Sequence, residues 1–575
     1  MKASYLIVTV ATLAGCLTTS VAAQDSAAAR PRPTAPVVSG DGMVVCSSGI
    51  ACDAGASVLA SGGNAVDAVV ATAFAMAVTY PSAGNIGGGG FMLVRSRRGV
   101  NAFDFRERAP LAATETMYLD SAQNIDRRLT ATGHLAPGVP GTVRGLELAH
   151  RKHGRLPWRD VVAPAIRLAQ GFALTDALAR SLNREVARGM VPYPASVAAY
   201  GKPGGGDWVA GDTIRLVDLA RSLRAIAAGG ADAFYKGWIA DSIAAEMSRS
   251  NGLITRKDLA EYRAKERTPV KGTFRGYEIY SMPPPSSGGI ALIEMLNMLE
   301  SLSLGAEDRW SPRSLHATIE AMRRAYHDRA QHLGDPDFVK VPVDQLTSKK
   351  YAAELAKNVN PSVATGSLTL EPKLATVADG ESEETTHISV VDRDGMAVSL
   401  TYTLEGGFGS HVVARGTGIL LNNEMGDFNK KPGHTSITGD IGTPPNVIAP
   451  GKRMLSSMTP TIVLKDGDVI VTGSPGGRTI INTVLNVLIG TLGYDLDVRA
   501  AVDAPRLHHQ WLPDSVTFEE GAIPDSTAER LRAMGHGVRV RGQQGDAHTI
   551  RFDAKSRSAH GANDLRSPDS KVSVP

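Results

Sequence analysis

The sequence predicts an α/β fold with an antiparallel centre, on three observations. Short runs of strand-forming residues recur near Met43, Phe91, Thr386, Met396, Thr461 and Val469, interspersed with stretches of helical period. Residues 384–403 hold two such runs around Asp394-Gly395. Asp-Gly between alternating apolar runs marks a β-hairpin, which excludes a purely parallel sheet. Residues 51–62 and 65–78 carry Ala, Val and Met all round at helical spacing, the composition of helices without a solvent face.

The chain opens with Lys2 and a short apolar run over 5–14, which reads as an export signal. Two endings stay open. Val21-Ala22-Ala23 fits signal cleavage, giving a signal over 1–23, while Leu13-Ala14-Gly15-Cys16 resembles a lipobox in which Cys16 is lipidated. The apolar run is too short for a bilayer-spanning helix, which needs ~20 residues. Either ending exports the chain from a bacterial cytoplasm, to the periplasm or beyond. A membrane is involved only if Cys16 is lipidated. Residues 24–40, rich in Pro and Ala, form a tether with no core-forming pattern.

A strand follows over 43–47, then the two apolar helices, separated by Gly62-Gly63-Asn64. Over 84–90 every side chain is stripped out except those of Asn85 and Ile86. Four consecutive glycines entering a strand at 91–94 predict close approach of two backbones, since a residue without Cβ permits it. A strand over 102–106 ends in Arg106. Amphipathic helices follow over 143–153, 158–170, 216–228 and 239–248, and further helices over 290–302 and 312–328, the last with Pro312 in its first turn. This middle region builds an outer layer, with loops at 201–206 and 283–289.

The central hairpin carries the first chemistry. Residues 378–384 are acidic, polar and Gly-containing, the composition of a loop. A two-residue turn at Asp394-Gly395 pairs Thr386 with Thr403 and brings a second hydroxyl to Thr385-Thr386. A Thr between an acidic loop and a buried strand is the layout of a self-cleaving precursor. Its hydroxyl attacks the preceding carbonyl, and cleavage frees an N-terminal Thr whose own amine serves as base. Thr-Thr is equally ordinary at a strand start, because β-branched residues favour strands.

Beyond the hairpin, Glu424 and Asp427 lie three apart and can converge on a turn. Residues 429–452 form a Gly-, Pro- and Thr-rich loop, longer than the ~12–15 residues usual for a loop without a function. Strands are expected over 461–464 and 469–472, and G-S-P-G-G-R (473–478) leads into a helix over 479–492. Glycines at a helix start can aim two backbone N–H groups at one oxygen.

Composition narrows the function. Net charge is +3 from 61 basic and 58 acidic residues without a long basic run, so nothing points to nucleic acid. Three cysteines without Cys-x-x-Cys, and no His-Glu-x-x-His, argue against a metal site, and no cofactor is implied. Cys46 and Cys52 flank a strand-to-helix turn, either as a disulfide or as two small buried residues. His508-His509, adjacent in sequence, have diverging rings and a structural role.

T-T-H-I-S-V-V-D-R-D-G followed by T-Y-T-L-E resembles the small-subunit start of the γ-glutamyltranspeptidases, members of the N-terminal-nucleophile hydrolase superfamily. The resemblance extends over G-G-N-A-V-D-A (62–68), A-G-N-I-G-G-G-G-F-M (83–92), D-F-R-E-R-A-P (104–110), P-P-S-S-G-G-I (284–290), N-N-E-M-G-D-F (422–428), L-S-S-M-T-P-T (455–461), G-S-P-G-G (473–477) and A-P-R-L-H-H-Q-W (504–511), from about residue 40 to the C-terminus.

It implies a four-layer α/β/β/α sandwich built by both halves together, cut into a large subunit (41–384) and a small one (385–575). It implies Thr385 as nucleophile, Thr403 orienting it, and Gly476 and Gly477 as the oxyanion hole. Arg106, Ser456 and Ser457 would hold the α-carboxylate of a γ-glutamyl group, and Glu405, Glu424 and Asp427 its α-amine. A planar guanidinium suits a carboxylate. The implied reaction transfers the γ-glutamyl group of glutathione to water, an amino acid or a dipeptide. Residues 429–452 would be a lid, with Ile437-Thr438 where several family lids carry an aromatic.

Three rivals remain. A cephalosporin or glutaryl acylase shares the fold without needing an α-ammonium site. A serine hydrolase needs G-x-S-x-G, which the sequence around Ser474 does not fit. A non-catalytic exported binding protein could keep the pocket without processing.

Overall fold

Two seven-stranded sheets lie face to face. A computed structural model describes residues 33–371 and 384–575. The leader, the first part of the tether and the acidic loop up to residue 383 fall outside the described residues. Ala35–Pro575 packs as one unit.

The first sheet runs, edge to edge, through Lys571–Ser573, Gly42–Cys46, Thr386–Asp392, Ala397–Thr403, Gly89–Ser96, Gly99–Phe105 and Lys265–Arg267. The second runs through Val37–Ser39, Ser558–Ala562, Thr549–Asp553, Asp468–Thr472, Thr461–Lys465, Tyr277–Ser281 and Val270–Phe274. Each sheet takes strands from both sides of residue 385, so neither half of the chain can complete a sheet alone. The end of the expected tether is one correction: Val37–Ser39 pairs with Ser558–Ala562 at a sheet edge.

Alternation along the strands sorts the core into layers. Met43, Val45, Phe91, Leu93, Val391 and Ala397 meet Ile462, Val469, Val471, Ile550 and Phe552 between the sheets. Val44, Met92, Val94, Ile388, Val390, Val398 and Leu400 face the other way, against Gly49–Ala60, Ala65–Thr79 and Trp158–Gln170. Ile279, Val463 and Ile470 pack under Gly288–Ser301, Pro312–His332 and Thr479–Leu488. This is the four-layer sandwich. The helix expected over 479–492 is α-helical to Leu488 and ends in a π-helical turn, Ile489–Gly493. Cys46 and Cys52 are joined as a disulfide.

The central hairpin differs from expectation by one residue. Its register is Val391↔Ala397 through Thr386↔Tyr402, not Thr386 with Thr403. Asp392 takes the N–H of Gly395 on its carbonyl (2.9 Å) and donates its own N–H to Met396 (3.0 Å), closing a three-residue loop with Gly395 at φ +78°. The Asp392 carboxylate decides this. It accepts from the N–H groups of Asp394 (2.9 Å) and Met396 (3.0 Å), and from Ala65 at the start of the buried helix (3.1 Å). A slip of one residue changes which side chains share a face. Continued by one residue, the observed register sets Thr385 across from Thr403.

Candidate active site

Thr385 stands immediately before the strand Thr386–Asp392, and Thr403 ends the neighbouring strand. Both are buried, at 5% and 2% exposure. The Thr385 hydroxyl donates to the Glu384 carbonyl oxygen at 2.5 Å, and the Thr403 hydroxyl donates to the same oxygen at 3.2 Å. Thr403, expected to orient Thr385, thus meets it through the Glu384 carbonyl that both hydroxyls share. The Glu405 N–H donates to Thr403 Oγ1 at 2.8 Å, which turns the Thr403 proton toward Glu384. Glu405 adopts φ +78°, an uncommon conformation for a residue with a Cβ, and this aims its N–H inward.

The glycine run places Thr403. Gly89 pairs with Thr403 and Gly90 with Tyr402, and a Cβ on Gly88 would lie 2.0 Å from the Thr403 carbonyl oxygen. Asn85 locks the approach by donating to the Thr403 carbonyl (2.8 Å) and accepting from the Gly88 N–H (2.9 Å). The backbone contact read from the sequence is therefore the one that seats the second threonine.

Gly476 and Gly477 have φ +128° and +53°, which opens the turn before the helix Thr479–Leu488. Among the described residues, neither N–H donates to a protein acceptor, while their carbonyls accept from Thr479 and Ile480. Gly477 lines the same cleft as Thr385 and Thr403. Gly476 is not among the residues lining that cleft; the Gly477 N–H, beside the Thr385 hydroxyl, is placed to hold a developing oxyanion.

At the other end of the cleft sits Arg106, just past the strand Gly99–Phe105 and fully buried. Its Nε donates to the Met454 carbonyl (3.3 Å) and its Nη2 to the Leu455 carbonyl (3.1 Å). It also pairs directly with Glu424 and Asp427, and Glu107 Oε2 lies 3.6 Å from Nη1. The resemblance gave Arg106 and Asp427 to opposite ends of one amino-acid head. They touch instead, because a buried guanidinium needs anionic partners and Glu424 and Asp427 supply them.

Burial opposes the Arg106 charge, yet the carboxylates of Glu424, Asp427 and Glu107 hold its pKa above the ordinary arginine range. Burial pushes the Glu424 carboxyl well up, against the pull of Arg106. The same burial raises Glu107 to about 7. Glu107 was not singled out by sequence reasoning, although it adjoins Arg106 in the motif.

Glu405, Ser456 and Ser457 line the same cleft, together with Asn429, Ile441 and Asn446 of the long loop. That loop is not structureless. Asn429 bridges to Val447, and the Asn446 amide donates to the Asp427 carbonyl (2.7 Å) while its oxygen accepts the Leu455 N–H (2.8 Å). The loop is thus tied to Asp427 and Leu455, both of which contact Arg106. Ser456 is held by the P-P-S-S-G-G-I loop: its N–H donates to Pro285 (2.9 Å), and its carbonyl accepts from the Ser287 N–H (2.8 Å) and hydroxyl (2.6 Å).

His508 and His509 are buried, in bonds to Asn482, Gln510 and Asp514, which is a structural role. Among the described residues, His316, Glu320 and His536 could together hold a metal ion. His316 and His536 instead bond each other (2.8 Å), and Glu320 is engaged by Arg323 and Arg324.

The γ-glutamyltranspeptidase family model matches residues 51–574. The glutathione hydrolase proenzyme of Escherichia coli (strain K12) is 47% identical over 537 residues, covering 93% of this chain and 92% of its own. The crystal structure of cephalosporin acylase from Bacillus halodurans superposes with TM-score 0.84 at 28% identity, covering 96% of this chain and 99% of that one. The crystal structure of Helicobacter pylori γ-glutamyltranspeptidase is 43% identical, with TM-score 0.55, and covers 58% of this chain and 95% of that one.

Proposed function

The chain belongs to the γ-glutamyltranspeptidase family, and we propose that it is an exported, self-processing glutathione hydrolase and γ-glutamyl transferase. The observation that carries this reading is the pair of threonine hydroxyls on the Glu384 carbonyl, in one cleft with the Arg106–Glu424–Asp427 cluster.

Maturation begins when Thr385 Oγ1 attacks the Glu384 carbonyl carbon. The amide proton balance is kept by passing the hydroxyl proton to the departing nitrogen of Thr385. The developing oxyanion keeps the bond from Thr403. Water then opens the ester, leaving a large chain ending at Glu384 and a small one starting at Thr385. In the cut protein, the free amine of Thr385 takes the proton of its own hydroxyl as that oxygen attacks a γ-amide. Gly476 and Gly477 hold the new oxyanion, a contribution of ~2.7–4 kcal/mol for one donor. The departing amine takes the proton, and water or an amino acid or dipeptide resolves the γ-glutamyl ester.

Recognition follows from the ion cluster. An α-amino-acid head inserts into an existing ion pair: its carboxylate takes N–H groups of Arg106 and the hydroxyls of Ser456 and Ser457, and its ammonium takes Glu424, Asp427 and Glu405. No buried charge is left alone. A glutaryl group lacks the ammonium and leaves the acids unpartnered once it draws Arg106 away, a cost of ~2–5 kcal/mol. This favours a γ-glutamyl substrate over that of an acylase. The leader pattern over 1–23 and the Cys46–Cys52 disulfide fit an oxidising compartment outside the cytoplasm.

The test compares γ-glutamyl and glutaryl p-nitroanilides. The expected preference for the γ-glutamyl compound is at least a hundredfold in kcat/KM, falling to near parity in Asp427→Ala. Equal turnover of both by the unaltered protein would favour the acylase rival.

A further inference from the structure

The helix Pro312–His332 runs past the Asp328 boundary expected from the sequence, and the added turn carries Arg329 into the wall of the active-site cleft. Arg329 is half-buried and makes two side-chain bonds to serines: Nε donates to Ser287 Oγ at 2.9 Å, and Nη2 donates to Ser457 Oγ at 3.0 Å.

These bonds set the direction of the serine protons. A hydroxyl that accepts an N–H from a guanidinium must point its own hydrogen elsewhere. Ser287 does so toward the Ser456 carbonyl, at 2.6 Å. Ser457 Oγ, bonded by Arg329, donates to no protein acceptor among the described residues. Ser456 Oγ accepts the Met458 N–H at 3.1 Å and likewise donates to none. Both serines are buried, at 2% and 8% exposure, and both line the cleft. The cleft is therefore offered two O–H donors side by side, with a cation behind one of them.

Arg106 is differently placed. Its Nε and both Nη nitrogens already serve the carbonyls of Met454 and Leu455 and the carboxylates of Glu424 and Asp427. Its charge is balanced by the acids that surround it. A carboxylate entering beside Ser456 and Ser457 meets O–H donors without a protein acceptor at those serines, and Arg329 is the cation bonded to Ser457 and, through Ser287, linked to the Ser456 carbonyl.

We infer that Arg329 is a positioning residue for the donor's α-carboxylate, acting through Ser457 and, by way of Ser287, through the Ser456 loop. This deepens the γ-glutamyl reading and rests on it. Arg329 fixes which way the Ser457 hydroxyl points and, through Ser287, holds the Ser456 backbone, and so makes the pocket an anion site instead of a neutral polar one.

The experiment uses the processed protein and two donors, γ-glutamyl p-nitroanilide and its α-carboxamide counterpart. In Arg329→Gln, KM for the γ-glutamyl compound should rise about tenfold with kcat within twofold, and the preference for carboxylate over carboxamide should drop about tenfold. Arg329→Lys keeps the charge but reaches one serine only, so it should fall between. In a Ser457→Ala background, Arg329→Gln should add less than a threefold further loss. An unchanged carboxylate preference, a loss confined to kcat, or losses that multiply in the double variant would each overturn the inference. If Arg329→Gln does not accumulate as two chains, Arg329→Lys takes its place with the same readouts. Failure of the γ-glutamyl reading itself appears separately, as an unaltered protein that turns over neither donor, and takes the inference with it.

Discussion

The Thr385 and Thr403 hydroxyls donate to one oxygen atom, and a single backbone N–H sets the direction of the Thr403 bond. Glu405 donates to Thr403, so Thr403 has its proton to give to the Glu384 carbonyl. Thr403→Val keeps the β-branched shape and removes the hydroxyl. Self-cleavage should slow by ~10²-fold, the scale of losing one oxyanion donor. Time-resolved gel analysis of freshly purified precursor would measure this, and cleavage at an unaltered rate would remove Thr403 from the reaction. At this scale most of the site was legible, because the named residues sit in dense motifs. The relation between Arg106 and Asp427 was not. Sequence tells which charges a zwitterion would use, but not that the same charges pair with each other across the cleft. Arg329 was missed for a different reason: the helix was expected to end at Asp328, and the turn that carries Arg329 into the cleft lies just past that boundary.

Among the elements, the glycine run and the hairpin fix where the two strands start. Gly88 faces the Thr403 carbonyl so closely that any Cβ collides with backbone, which cannot yield as a side chain does. Gly88→Ala should cost ~2–4 kcal/mol or more, in the range of severe overpacking. The protein should accumulate poorly, with a lowered midpoint of thermal unfolding and slow self-cleavage. A variant of unchanged stability would show that the strand ends are free to move apart. The hairpin shows where local signals stop. Asp-Gly reports a turn, yet the loop length was set by the Asp392 carboxylate reaching both the turn and the N-terminus of the helix Ala65–Thr79. That contact joins residues 327 positions apart and has no local signature. An unread strand shares this property. Ser558–Ala562 holds no large apolar residue and is a strand because its neighbours offer their edges.

For the whole molecule, the interleaving of strands carries the central claim. Both sheets are completed by segments from either side of residue 385, so a cut at that peptide leaves two chains still sharing every layer. The layered fold was readable in outline from the hairpin and the buried helices, whereas strand order depends on contacts between segments hundreds of residues apart. The most direct measurement is the intact mass of the purified protein under denaturing conditions, beside that of Thr385→Ala. The account predicts two chains that copurify when native, the smaller beginning Thr385-Thr386-His387-Ile388, and a single uncut chain for the variant. A fully active protein that remains one chain, or a cut at any other peptide, would contradict it.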